Sequence, residues 1–70
     1  MMPITMCKEG ERVTIRKITG NDKVRQHLSE LGFVVDHDVT VITKVGQNVI
    51  VQVKDSRVAV DASMANRIMV

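Results

Sequence analysis

The sequence predicts a mainly β domain with one short α-helix, on three observations. β-branched side chains dominate the apolar set, with 13 Val and 6 Ile against 2 Leu. Branching at Cβ costs rotamer freedom in a helix and packs well on a pleated surface. Apolar and polar residues also alternate with period two over several short runs, the pattern of strands with one buried face. Finally, a single stretch carries apolar residues at helical spacing between a capping residue and a glycine.

In chain order, residues 1–8 show little pattern, and Pro3 opposes a regular element there. That segment is expected to be loosely ordered. Arg12-Val13-Thr14-Ile15-Arg16 alternates and reads as the first strand. Thr19-Gly20-Asn21-Asp22 is turn and cap chemistry, in which Asn21 or Asp22 can accept from the first free amides of a helix. The helix runs from Lys23 to Leu31. Val24, Leu28 and Leu31 form its apolar stripe, and Arg25, Gln26, Ser29 and Glu30 lie on the other side. Gly32 then supplies the left-handed conformation that closes a helix.

The chain returns to strands after that. Val39, Val41 and Thr43 share one face of Asp38 to Lys44, and Val49, Val51 and Val53 share one face of Asn48 to Lys54. Gly46-Gln47-Asn48 joins these two strands. Asp55-Ser56 reads as a two-residue hairpin link to Arg57-Val58-Ala59-Val60. Asp61 starts a helical turn over Ala62 to Asn66, and Ile68 to Val70 closes the chain as a strand. The set reads as a small SH3-like, partly open five-stranded barrel with its helix between the first and second strands. Near-closure removes exposed edges and lets few residues share one core. An open α+β sheet is the alternative.

Residues 1–70 read as one domain. A chain of 70 residues has little packing to give up for a buried active-site cavity, which favours a binding or accessory module over an autonomous enzyme. Net charge is +2 and Phe33 is the only aromatic residue. The first is too mild for phosphate binding, and the second removes the stacking that holds single-stranded nucleic acid, so no nucleic-acid partner is expected. No Ser, His and Asp set stands out as a triad, and the glycines are too dispersed for a phosphate loop. Cys7 has no second cysteine to pair with, as fits a reducing compartment. No run approaches a membrane span, so a soluble cytoplasmic protein with no direct membrane insertion is expected.

The run Arg25-Gln26-x-Leu28-x-x-Leu31-Gly32-Phe33, followed by Val39-x-Val41-Ile42, resembles the FeoA family of small SH3-like proteins. Val49-x-Val51-x-Val53, Val58-Ala59-Val60 and Ala65-x-x-Ile68-x-Val70 extend the resemblance from about Gly10 to Val70. It implies a bacterial cytoplasmic accessory of ferrous iron uptake, with FeoB as partner. FeoB is a membrane transporter that carries a cytoplasmic GTP-binding domain. The family is loosely described as metal-binding and has no agreed catalytic residues. A similar domain closes iron-dependent repressors of the diphtheria-toxin-repressor type. Where the family usually has Pro-Gly between helix and meander, this chain has Val35-Asp36. Asp tolerates positive φ better than most residues do.

Candidate partner contacts are Arg25, Gln26, Ser29, Phe33 and Val35. Arg25 leaves the helix away from the Val24 stripe, where its guanidinium can fork onto a partner carboxylate. Phe33 also reads as a core residue closing the helix end. Asp36-His37-Asp38 is the one local cluster of metal-capable side chains, suited to weak Fe²⁺ or another divalent transition metal. His27, at the edge of the apolar stripe, and Cys7 complete the candidates. An exposed polar turn and a half-covered histidine are the simpler readings of the first two, and a lone Cys7 lacks the paired spacing of a zinc site. No cofactor is required. The chain is expected to be a monomer or weak homo-oligomer, with Val34, Val35, Met69 and Val70 as candidate contacts.

Overall fold

A computed structural model describes all residues, 1–70. After a 3-10 turn at Ile4–Met6 come β1 (Arg12–Thr14), β2 (Lys17–Ile18), α1 (Asp22–Glu30), β3 (Asp38–Val45) and β4 (Asn48–Val53). The chain ends with β5 (Ser56–Asp61), α2 (Ala62–Ala65) and β6 (Ile68–Met69). The architecture is mainly β, as the residue pattern predicts. An antiparallel sheet runs β1-β3-β4-β5, and β2 pairs with β6 in a second small sheet. Neither sheet closes on itself, so the barrel is open.

The predicted first strand, Arg12 to Arg16, ends at Thr14, and a second strand not expected from the sequence follows at Lys17–Ile18. Ile15 and Arg16 carry the chain from one sheet to the other: Arg16 N–H donates to the Met69 carbonyl at 2.7 Å, while Ile15 N–H donates to the His37 carbonyl at 3.0 Å. The sequence alternates straight through this crossover, because the pairing that bends the chain comes from the far end of the molecule. The helix therefore lies between β2 and β3.

A second difference is a bulge in β3. Val41 pairs with Val51, but the next partner of Ile50 is Thr43, so Ile42 is the extra residue. The bulge turns Thr43 off the face that Val39 and Val41 share. It also brings Lys44 opposite Val49, and the Lys44 ammonium donates to the Thr5 carbonyl at 2.8 Å. The β4–β5 hairpin is offset by one residue from the expected link, with Lys54 and Asp55 as its loop.

Loose order is the sequence expectation for residues 1–8, but their backbone is tied to the end of the chain and two of their side chains are buried, while Met1 and Met6 stay exposed. Met2 and Val70 exchange backbone hydrogen bonds of 2.9 and 2.8 Å, and Pro3 bridges Met69. The 3-10 turn then puts Ile4 and Cys7 into the core, 0% and 1% exposed. The core is otherwise Ile15, Leu28, Phe33, Val39 and Val41 of β3, Val49, Val51 and Val53 of β4, Val60 of β5, Ala65 and Ile68.

The end of α1 explains the most recognisable run in the sequence. Asn21 Oδ1 accepts from Val24 N–H at 2.9 Å, which caps the start. At the other end, Gly32 N–H donates to Ser29 and Phe33 N–H donates to Leu28, both at 3.0 Å, with Gly32 at φ +102°. This is a Schellman closure, and its usual apolar contact is made here by Leu28 and Phe33, both fully buried. Leu-x-x-Leu-Gly-Phe is thus a helix terminator that also supplies core.

Candidate functional site

Beyond Phe33 the chain makes a turn in which His37 N–H donates to the Val34 carbonyl at 3.1 Å. Asp36, third in the turn, holds φ +74°. A type II turn takes glycine at that position and favours proline before it, so Val35-Asp36 stands where a Pro-Gly pair would suit the backbone. Asp36→Gly is expected to raise stability by about 0.5–1 kcal/mol, the αL cost less the glycine entropy. The melting temperature should rise by roughly 3–6 °C in a thermal melt. An unchanged or lower midpoint would mean that the aspartate is unstrained.

This turn is tied to the strand crossover, because Asp36 N–H donates to the Ile15 carbonyl at 2.7 Å and His37 accepts from Ile15. The two segments and α1 enclose an open groove of about 490 Å³, lined by Arg16, Lys17, Ile18, Arg25, Ser29, Phe33, Val34 and Val35. Val34 and Val35 are 38% and 43% exposed. Arg16 and Lys17 have no carboxylate within ion-pair distance, whereas Arg25 pairs with Asp22 one turn earlier on α1. The result is an apolar strip flanked by cations. Such a surface fits a partner segment with apolar side chains and carboxylates, since paired Arg guanidinium groups bind carboxylates in a forked geometry.

Of the predicted partner contacts, the structure brings Arg25, Ser29, Phe33 and Val35 together around one groove. Phe33 is wholly buried, so it shapes the groove from beneath and is not itself a contact surface. Gln26 lies outside the groove and its amide donates to Glu30 at 3.4 Å. Sequence reasoning missed Arg16, Lys17 and Ile18, whose place depends on the crossover. One signal was available: Arg16-Lys17 is the chain's only pair of adjacent basic residues.

The metal candidates do not converge. No three His, Cys, Asp or Glu side chains come together as a ligand group. Cys7 is buried, and desolvation pushes its thiol pKa up, with Glu11 adding to the rise. A raised pKa disfavours the thiolate that a metal needs. His27 is exposed on α1, not half covered as expected. His37 and Asp36 are exposed in the turn, while Asp38 is engaged elsewhere. Its carboxylate accepts from the Thr14 hydroxyl at 2.6 Å and pairs with Arg12 at 3.2 Å. These residues do not fit a resident metal centre.

The Thr14 hydroxyl, and then Arg12, hold the Asp38 carboxyl below its ordinary pKa. Asp61 is lowered too, first by the Met64 N–H that it caps and then by the Ser63 hydroxyl. A carboxyl with a depressed folded-state pKa contributes stability above its unfolded value, and loses it as pH falls through the folded one. The melting temperature should therefore drop below about pH 4. Asp61→Asn should flatten that drop in melts taken from neutral to acid pH, and an equally steep drop in the variant would exclude Asp61 as its source.

The FeoA domain family model matches residues 2–70. This chain belongs to the FeoA family. The FeoA domain here is 33% identical to "Putative Fe(2+) transport protein A" of Methanocaldococcus jannaschii over all of this chain and 85% of that one. It superposes on a crystal structure of an iron uptake regulatory protein, FeoA, with a TM-score of 0.89 and 25% identity. That match covers 97% of this chain and 90% of the other. The zinc-complexed FeoA of Stenotrophomonas maltophilia, described as a prokaryotic SH3 domain protein, is 30% identical with a TM-score of 0.62, covering 86% and 74%. FeoA proteins are small and associated with transport, and the SH3-like fold is shared. No helix of this FeoA domain is long and apolar enough to cross a membrane.

Proposed function

We propose that this FeoA domain is a cytoplasmic accessory of ferrous iron uptake that regulates a FeoB-type transporter by docking on it. It catalyses nothing itself, and iron is the transporter's cargo. The observation that carries the reading is the groove, which gathers Arg25, Ser29 and Val35 with the unpaired Arg16 and Lys17 on one apolar face. The partner surface is the cytoplasmic GTP-binding domain or an adjoining cytoplasmic face of the membrane part. The M. jannaschii relative, named for Fe(2+) transport, and the S. maltophilia protein, described as a candidate ferrous iron transport activating factor, support the assignment.

Anaerobic ferrous uptake in a strain lacking the chain tests it. The wild-type gene is expected to restore uptake, and folded Arg25→Glu and Val35→Asp variants are expected to restore a tenth or less, about 1.4 kcal/mol of lost docking. Full restoration by both variants would remove the groove from the function.

One observation favours a second reading, a metal-binding chaperone or sensor: the S. maltophilia FeoA holds zinc. The exposed donors His37, Asp36 and His27 are the residues available for it here. It expects saturable Fe²⁺ or Zn²⁺ binding that His37→Ala weakens, and purely unsaturable binding in calorimetry would discard it.

A further inference from the structure

β5 is the outer strand of the larger sheet. It runs six residues against β4 in unbroken register, from Val53↔Ser56 to Asn48↔Asp61. The two-residue loop makes Val53 and Ser56 a hydrogen-bonded pair. The backbones of Ser56, Val58 and Val60 therefore face β4, and those of Arg57, Ala59 and Asp61 face outwards. No other segment hydrogen-bonds to that outer edge. The edge carries neither proline nor bulge, two of the devices that stop edges from pairing, and its charged side chains, Arg57 and Asp61, are of opposite sign. The opposite edge strand, β1, has only three residues.

The outward residues are self-complementary under a twofold axis. Antiparallel pairing centred on Ala59 sets Ala59 against its own copy, Arg57 against Asp61, and Val58 against Val60. The small Ala59 side chains allow close approach at the axis. Arg57 and Asp61 lie on the face away from the core, where opposite charges directly across a strand pair attract. Asp61 Oδ1 caps α2 by accepting from Met64 N–H and Ser63, but Oδ2 has no partner. Arg57 makes only a 3.3 Å bond to Gln52.

We infer that β5 is a homodimerisation edge, where two copies of this chain join antiparallel about Ala59 into one continuous sheet. The main-chain bonds run between the two Ala59 residues and from Asp61 N–H to the Arg57 carbonyl, each repeated by symmetry. β5 and the groove are built from different strands, so the dimer leaves each groove free and stands apart from the proposed docking. So short an edge gives a weak, concentration-dependent dimer.

The test is a concentration series of the labelled full chain up to about 1 mM, followed by amide shifts and sedimentation velocity. Concentration-dependent shifts centred on residues 57–61, with sedimentation moving towards a dimer, are expected. Ala59→Pro removes an outward N–H without touching the β4 ladder, a change edge strands tolerate. It should stay monomeric throughout. Arg57→Glu sets like charges opposite Asp61 and should weaken the dimer about fivefold to tenfold, whether or not the proline variant folds. A chain that is monomeric at the highest concentration overturns the inference. So does a dimer whose shifts lie at Val34, Val35 or Met69, or one that Arg57→Glu leaves unchanged.

Discussion

Phe33→Ala is expected to remove about half or more of the folding stability at 25 °C. The ring is 0% exposed and lies where the closure of α1 meets the strands of both sheets. Removing a buried Phe side chain costs about 3–5 kcal/mol, for lost transfer energy plus the cavity. A domain of this length has only about 3.5–10 kcal/mol of stability in total, at 0.05–0.15 per residue. Far-UV circular dichroism and urea titration would show a lost or strongly left-shifted transition. Phe33→Leu keeps most of the volume and should stay folded, about 1–1.5 kcal/mol weaker. A Phe33→Ala protein with the wild-type urea midpoint would contradict the packing described.

Gly32→Ala is expected to cost about 3 kcal/mol although it adds one methyl group. Two terms combine. At φ +102° an L-residue is strained by about 1–3 kcal/mol. A Cβ there would also lie 2.8 Å from Val53 Cγ1, inside contact distance. Val53 is buried and held by the β4–β5 ladder, so it cannot swing clear without disturbing the core. Overpacking of this kind costs roughly 1–3 kcal/mol. The urea midpoint of Gly32→Ala should fall by about half, and a companion Val53→Ala, which vacates the clash, should show a smaller penalty for the same glycine change. Equal penalties in both backgrounds would leave only backbone strain.

These two neighbours show what the sequence made legible. The cap at Asn21, the stripe Val24, Leu28 and Leu31, and the stop at Gly32 are local signals, and local signals are written within a few residues of one another. The alternation in β4 was equally readable because it buries one clean face. What stayed hidden depends on distant partners. The kink at Ile15 is set by Met69 and His37, the bulge at Ile42 by its register against β4, and the order of residues 1–8 by Val70. Ile4 and Cys7, three residues apart, were the one hint of a buried turn near the start. The groove followed the same division: its helix residues Arg25 and Ser29 were readable, and Arg16 and Lys17 required the crossover.

The proposed docking is tested most directly by an anaerobic amide titration of the labelled protein against the cytoplasmic GTP-binding domain of a FeoB-type transporter, with Fe²⁺ alone in parallel. Saturable shifts at Arg16 to Ile18, Arg25, Ser29, Val34 and Val35 are expected with the domain, and none that saturate with the metal. Saturable changes localised at His27, His37 or Asp36 with Fe²⁺ alone, and no response to the domain, would contradict the proposed docking.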